Sequence, residues 1–230
     1  MSDDDILREM RAYYEARAPL HDGYMGYSDN ESMELVLSPI VERVVELLSG
    51  RDVLEVACGT GNWTQVLARR ARSVVAIDAS ETALELARRK VAGGERVEFV
   101  RADAFALDGL GGSFGGAFAS DWLSHVPVGS MRSFLDNVHL RLAGGSPVVF
   151  LDILARDHPD LTPYRRDRDG NTICRRVLPD GREFDVVRNY PSESEIRAYL
   201  GPDVADLDYR EWAELSRWMV SYALPEAPRG

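Results

Sequence analysis

The residues in this 230-residue chain best suited to chemistry follow four short apolar runs. The first is Val53-Leu-Glu-Val-Ala-Cys-Gly-Thr-Gly-Asn-Trp63, with an acidic residue inside the run and two glycines just after it. Gly59 and Gly61 let the backbone turn sharply and approach a ligand with no side chain between. A helix starting there aims its free amides at the same ligand. Asp78 closes the next run, Ser73-Val-Val-Ala-Ile77, 23 positions after Glu55, the length of one strand–helix–strand step. A carboxylate at that point accepts both hydroxyls of a ribose, and Ser80 is already present to cap the next helix. Arg101-Ala-Asp103-Ala104-Phe105 follows the third run. Ser120-Asp-Trp-Leu-Ser-His-Val-Pro127 follows the fourth, and His125 is the histidine placed to exchange a proton near neutral pH.

These groups need a frame, and the pattern supplies one. Short apolar runs at 53–57, 73–77, 97–100, 116–119 and 148–151 read as strands. Helical periodicity lies between them: Thr64 to Arg72, Ser80 to Val91, and Ser130 to Leu142 with Met131, Phe134, Leu135 and Val138 on one stripe. Gly93-Gly94 and Gly144-Gly145 end two of these helices. Such alternation makes a parallel sheet covered by helices on both faces, with right-handed crossovers and a ligand site beyond the carboxyl ends of the strands. Before it lie a helix at Asp5 to Ala18, a loop carrying Gly23, Gly26 and Asp29, and a helix from Ser38-Pro39 to Leu48. After it come a hairpin at Thr172–Leu178 and Glu183–Arg188 joined at Pro179-Asp-Gly181, a helix at Ser192–Leu200, and strands at Asp206–Trp212 and Arg217–Tyr222.

The glycine turn is a poor match to the dinucleotide fingerprint G-x-G-x-x-G, because Thr64 stands at the third glycine position. It resembles the first motif of class I S-adenosylmethionine (SAM)-dependent methyltransferases, acidic-x-x-x-Gly-x-Gly. That resemblance covers roughly Tyr13 to Leu151. It implies a Rossmann-like α/β fold whose seven-stranded, mostly parallel sheet has the order 3-2-1-4-5-7-6 with the last strand antiparallel. An N-terminal cap helix and a β-hairpin insertion complete it. It also implies cofactor-binding roles. Glu55, Ala57, Gly59, Gly61, Asn62 and Trp63 belong to the turn at the amino-acid end of SAM. Asp78 and Ala79 hold the ribose, Asp103 and Ala104 the adenine, and Ser120 and Asp121 line the pocket. Tyr14 or Arg17 closes over SAM from the cap helix. His125 is a candidate general base, with a pocket-shaping role as the alternative. The expected reaction transfers a methyl group to an O, N or C nucleophile of a small metabolite and leaves S-adenosylhomocysteine. A NAD-dependent oxidoreductase and a non-catalytic SAM sensor or scaffold are the other readings.

Composition bounds the rest. The net charge is −11 and 45% of residues are hydrophobic, which suits one globular unit over 1–230, with 1–37 as cap and 153–191 as lid. The acidic balance argues against a broad nucleic-acid interface. No apolar run nears the roughly 18–20 residues a membrane span needs, and the acidic start is unlike a signal peptide. A cytoplasmic protein is therefore expected. Lys90 is the single lysine, a bias of GC-rich bacterial genes, and bacterial secondary metabolism is the expected setting. Cys58 and Cys174 are too few for a zinc or disulfide framework. Asp121 and Asp152 end adjacent strands, but Ile153-Leu-Ala follows rather than a third ligand, so no metal is expected. His21 reads as part of the lid, His139 as lying beside its helix stripe, and His158 as a loop residue. Arg165, Arg166, Arg168, Arg175 and Arg176 alternate with Asp160, Asp167, Asp169 and Asp180, which favours a self-paired face over an anion site. Trp122, Trp212 and Trp218 suit a pocket or an interface, and a homodimer stays open.

Overall fold

The computed structural model describes residues 3–25, 30–91, 96–155 and 165–226. Gly26, Asp29, Gly93-Gly94, His158 and Asp160 lie outside the described residues. The chain opens with α1 (Asp3–Arg17), α2 (His21–Met25), α3 (Asn30–Val36) and α4 (Ser38–Leu48). The alternating part follows as β1 (Asp52–Val56), α5 (Asn62–Ala68), β2 (Ser73–Asp78), α6 (Glu81–Lys90), β3 (Val97–Arg101), β4 (Gly116–Ser120), α7 (Met131–His139) and β5 (Pro147–Ile153). The remainder is β6 (Arg165–Arg166), β7 (Thr172–Val177), β8 (Glu183–Val187), α8 (Glu193–Leu200), β9 (Ala205–Trp212) and β10 (Arg217–Ala223).

The main sheet has the order β3-β2-β1-β4-β5-β10-β9. β1, β2, β3, β4 and β5 pair in parallel, whereas β10 runs antiparallel to β5 and to β9. The order reverses between β1 and β4, which opens a crevice at their carboxyl ends. Strand residues alternate between two cores. Leu54, Val56, Ala117, Ala119, Val148 and Phe150 meet Phe134, Leu135 and Val138 of α7 and Ile196 and Leu200 of α8. Val53, Phe118, Val149 and Leu151 meet Ile40, Val44 and Leu48 of α4 and Val66 and Leu67 of α5. Strands buried on both faces lose their polar alternation, so the runs read as continuously apolar.

A third core fixes the cap. Ile6, Met10 and Tyr13 of α1 pack on Ile173, Leu178, Val186 and Val187. The cap helix is therefore carried by the insertion, with α6 as its other support. That insertion is a three-stranded sheet, β6-β7-β8, rather than a two-stranded hairpin, because Arg165 and Arg166 pair with Ile173 and Thr172. Its outer arginines pair within it: Arg165 and Arg175 both reach Asp185, and Arg168 lies near Asp169.

Several local expectations change. Leu37, not Ser38, occupies the cap position of α4, with no side-chain cap bond. Ser130 likewise makes no side-chain cap bond, because a short turn at Val128–Ser130 leads into α7. α5 starts at Asn62 and stops at Ala68, earlier than its periodicity suggests. Ser80 does cap α6 by accepting from the Ala83 amide, and Ser192 caps α8 in a reciprocal box with Glu195.

Candidate active site

The glycine turn sits between β1 and α5 and is built on left-handed backbone. Ala57, Gly59 and Gly61 have φ of +54°, +55° and +82°. Gly61 faces α6: a Cβ there would lie 2.9 Å from the Ala87 Cβ and 3.1 Å from its Cα. It therefore allows α5 and α6 to approach and does not line the cleft. Gly59 does, and its amide donates to Asp78 Oδ2 at 2.9 Å. The Ser80 amide donates to Asp78 Oδ1 at 2.9 Å. A carboxylate offers about four acceptor sites, so Asp78 keeps capacity for a ligand's hydroxyls. Its carboxyl is raised by burial, against the pull of these amides.

Glu55 is buried beneath the turn and pushed up to about 8, by burial first and then by the charge of Asp78. Its Oε2 has no hydrogen-bond partner among the described residues, while the neighbouring Thr64 side chain pulls the carboxyl down. A buried acceptor without a donor is costly, and a ligand donor relieves it. Asp103 accepts from the Phe105 amide at 3.0 Å and from Arg11 at 2.7 Å. Asn62 and Thr60 are tied to the cap through Asp22, and Lys90 donates to Asp22, Thr60 and Asn62 at 2.8, 3.2 and 2.7 Å. Trp63 packs on Phe118, with ring centroids 5.2 Å apart. Ala57, Ala79 and Ala104 line the same cleft.

The other end of the cleft follows β4. Asp121, at φ +55°, accepts from Ser120 Oγ at 3.0 Å and pairs with Arg217 of β10. Burial alone would raise its carboxyl, but the charges of Arg217 and then Arg188 outweigh burial and hold it low. The turn at Leu123–His125 buries His125 at 3% exposure. Its Nδ1 lies 2.7 Å from the Val187 carbonyl, and its Nε2 lies 2.7 Å from the Tyr14 hydroxyl and 2.6 Å from Arg188 Nη1. Burial, with the charge of Arg188 second, pushes the imidazole well below 6.5. Tyr14 is pushed up to about 12 by burial, against the charges of Arg17 and Arg188. Arg17 does not line the cleft; its guanidinium sits 5.9 Å from the ring centres of Tyr13 and Tyr14.

The cleft thus gathers Tyr14, Glu55, Ala57, Gly59, Asn62, Trp63, Asp78, Ala79, Asp103, Ala104, Ser120, Asp121 and His125, and leaves Arg17 and Gly61 outside its wall. Its enclosed volume is about 150 Å³, with a mouth open to solvent. Sequence reasoning missed Arg11, Arg217 and the inward position of His21, whose imidazole burial lowers to about 4. Arg217 meets Asp121 across 96 positions, a pairing with no local signal. Among the described residues no group of histidine, cysteine and carboxylate side chains is arranged to hold a metal. No described helix is long and apolar enough to cross a membrane.

This arrangement agrees with what the chain is similar to. A family model described as a methyltransferase domain matches residues 53–145. A demethylmenaquinone methyltransferase of Clavibacter sepedonicus is 38% identical over 177 residues, covering 77% of this chain and 66% of that protein. The chain thus spans a little under two thirds of that relative's length. A 2-phytyl-1,4-naphtoquinone methyltransferase of Thermosynechococcus vestitus is 25% identical over 205 residues, covering 86% and 83%. Among solved structures, a DhpI–SAH complex superposes with a TM-score of 0.77 at 27% identity, covering 99% of this chain and 100% of that one. A DhpI–SAM–HEP complex gives 0.75 at 26%, covering 96% and 99%. In sequence and in fold the chain is similar to SAM-dependent methyltransferases.

Proposed function

We propose that this protein binds SAM in the cleft and transfers its methyl group to an O, N or C nucleophile of a small metabolite. The observation that carries the reading is the set of three carboxylates, Glu55, Asp78 and Asp103, at the ends of β1, β2 and β3, all opening into one cleft whose far end is Tyr14 and His125. The residues fit the cofactor. The orphaned Glu55 Oε2 and the left-handed turn at Gly59, which lines the cleft, suit its amino-acid end. Asp78 has capacity left for ribose hydroxyls, and Asp103 with the Ala104 amide suits the adenine. When bound, SAM supplies an electrophilic methyl on a cationic sulfur. The chain's work is then to orient that end of the cleft and exclude water, with the acceptor held in line at about 3 Å. Ser120, Asp121 and Trp122 shape that end, and Tyr14 closes it from α1. In this reading 1–37 is the cap and 153–191 the lid of one catalytic unit over 1–230.

The matched relatives are named as methyltransferases, so the nicotinamide and non-catalytic readings are set aside. Their names put a naphthoquinone among the acceptors to assay. The aromatic wall favours a planar acceptor: Phe105 and Trp122 have ring centroids 6.0 Å apart, and Tyr14 lies 5.2 Å from His125. The test is turnover with methyl-labelled SAM against reduced naphthoquinones, phenols, carboxylates and amines, scored as S-adenosylhomocysteine and labelled product. Label appearing in one acceptor class supports the proposal. SAM binding without turnover on any acceptor would leave a sensor instead.

A further inference from the structure

His125 accounts for an unusual share of the buried polar contacts at the acceptor end, and their geometry fixes its protonation. A carbonyl only accepts, so Nδ1, 2.7 Å from the Val187 oxygen, carries the proton. A guanidinium only donates and does not lose its charge, so Nε2, 2.6 Å from Arg188 Nη1, is bare. The Tyr14 hydroxyl shares that lone pair at 2.7 Å. Arg188 is itself 6% exposed and lies 3.7 Å from Asp152. Asp152, fully buried on β5, also accepts from the Ser124 amide at 2.9 Å and the Ser124 hydroxyl at 3.1 Å. A continuous buried chain therefore runs from the sheet through Arg188 and His125 to the cap helix.

We propose that Arg188 is a positioning residue that locks His125 as a neutral hydrogen-bond acceptor for Tyr14, so that His125 does not serve as a base toward the methyl acceptor. Protonating Nε2 would set two donors and two positive charges against each other in a buried site. The groups facing His125 are Tyr14 and Arg17 on α1, Arg176 on β7 and Arg188 after β8, while Asp152 on β5, Asp121 after β4 and Tyr190 act on Arg188. The cationic members push the imidazole further toward neutrality. The consequence concerns the substrate and rests on the methyl-transfer reading. The acceptor arrives with a lone pair already free, as a carboxylate, a phenolate or an amine. Its electron pair forms the new bond to the methyl carbon while the carbon–sulfur pair stays on sulfur. No proton passes to the enzyme in that step.

Two readouts test this. Long-range proton–nitrogen NMR of the full chain, with the His125 signals assigned by their loss in H125Q, requires no turnover and so stands apart from the methyltransferase reading. The expected spectrum shows the Nδ1–H tautomer unchanged from pH 5.5 to 8.5; an Nε2–H tautomer, or titration near 6.5, overturns the lock. The second readout is kinetic. Glutamine keeps an acceptor for Tyr14, so H125Q should lose about fivefold or less in kcat with an unchanged pH profile. A general base would cost about 100-fold or more and remove a limb of the profile. R188Q, which keeps a donor toward Nε2 but removes the cation, should shift the imidazole upward and introduce a pH limb absent from the native protein, whereas R188K, which keeps the cation, should not. Efficient methylation of an unactivated aliphatic alcohol would also overturn the proposal.

Discussion

Replacing Glu55 by glutamine exchanges a buried carboxyl for a neutral group of nearly the same shape, and the structure sets both the size and the pH dependence of the effect. In the folded protein this carboxyl is pushed from 4.5 to about 8, so the fold holds its proton more tightly than the unfolded chain does. The stability this contributes is fully present below 4.5 and is lost as pH rises through about 8. At pH 7 the loss spans about 2.5 pK units at about 1.4 kcal/mol each, or roughly 3 kcal/mol. Glutamine avoids that loss, so ligand-free E55Q should be more stable by up to about 3 kcal/mol at pH 7, a Tm rise of up to about 6–12 °C for a chain of this size. Near pH 4 the gain should vanish, because both forms are then neutral. The same variant should bind SAM at least about tenfold more weakly, because a carboxyl can give up its proton to face the cofactor's ammonium end and an amide cannot. Thermal unfolding by circular dichroism from pH 4 to 8, with calorimetric SAM titration, tests both halves. A lower Tm at pH 7, or an equal gain at pH 4 and pH 7, refutes the reasoning.

Two further outcomes follow from the packing and the buried histidines. G61A should cost about 2 kcal/mol or more, since a new Cβ meets Ala87 at 2.9 Å and φ is +82°; urea unfolding checks it, and a cost below about 0.5 kcal/mol contradicts the close helix approach. His139, hydrogen-bonded to Tyr222 at 2.7 Å and lowered by burial to about 4, contributes stability present above 6.5 and lost as pH falls toward 4. H139Q should therefore gain up to about 2 kcal/mol relative to the native protein between pH 7 and pH 5. Paired urea titrations at the two pH values measure that difference, and no change in it refutes the assignment.

Much of the fold is legible in the sequence because the physics that forms it is local. β1 to β5 follow from apolar runs closed by Asp78, Asp103 and Asp121, and the left-handed turn follows from Gly59 and Gly61. Three features were not legible. α2 and α3 lie where Gly23 and its polar neighbours suggest a loop; they are five and seven residues long, too short for a periodic signal. β6 has two residues and exists through its pairing with β7. The partners that define the site chemically come from far along the chain. Arg217 reaches Asp121 from β10, Arg188 reaches His125 from the insertion, and Arg11 reaches Asp103 from α1. A spacing rule can mark His125 as a candidate base. The guanidinium opposite its Nε2, which decides what the imidazole can do, is a matter of tertiary placement.

The most direct test of the account is calorimetric titration of the purified protein with SAM and S-adenosylhomocysteine, with NAD as control, repeated on D78A after circular dichroism has shown that variant folded. The account predicts micromolar binding of the first two, none of NAD, and loss of binding in D78A. A folded native protein that does not bind SAM, or a D78A variant that binds it equally well, would contradict the assignment of this cleft.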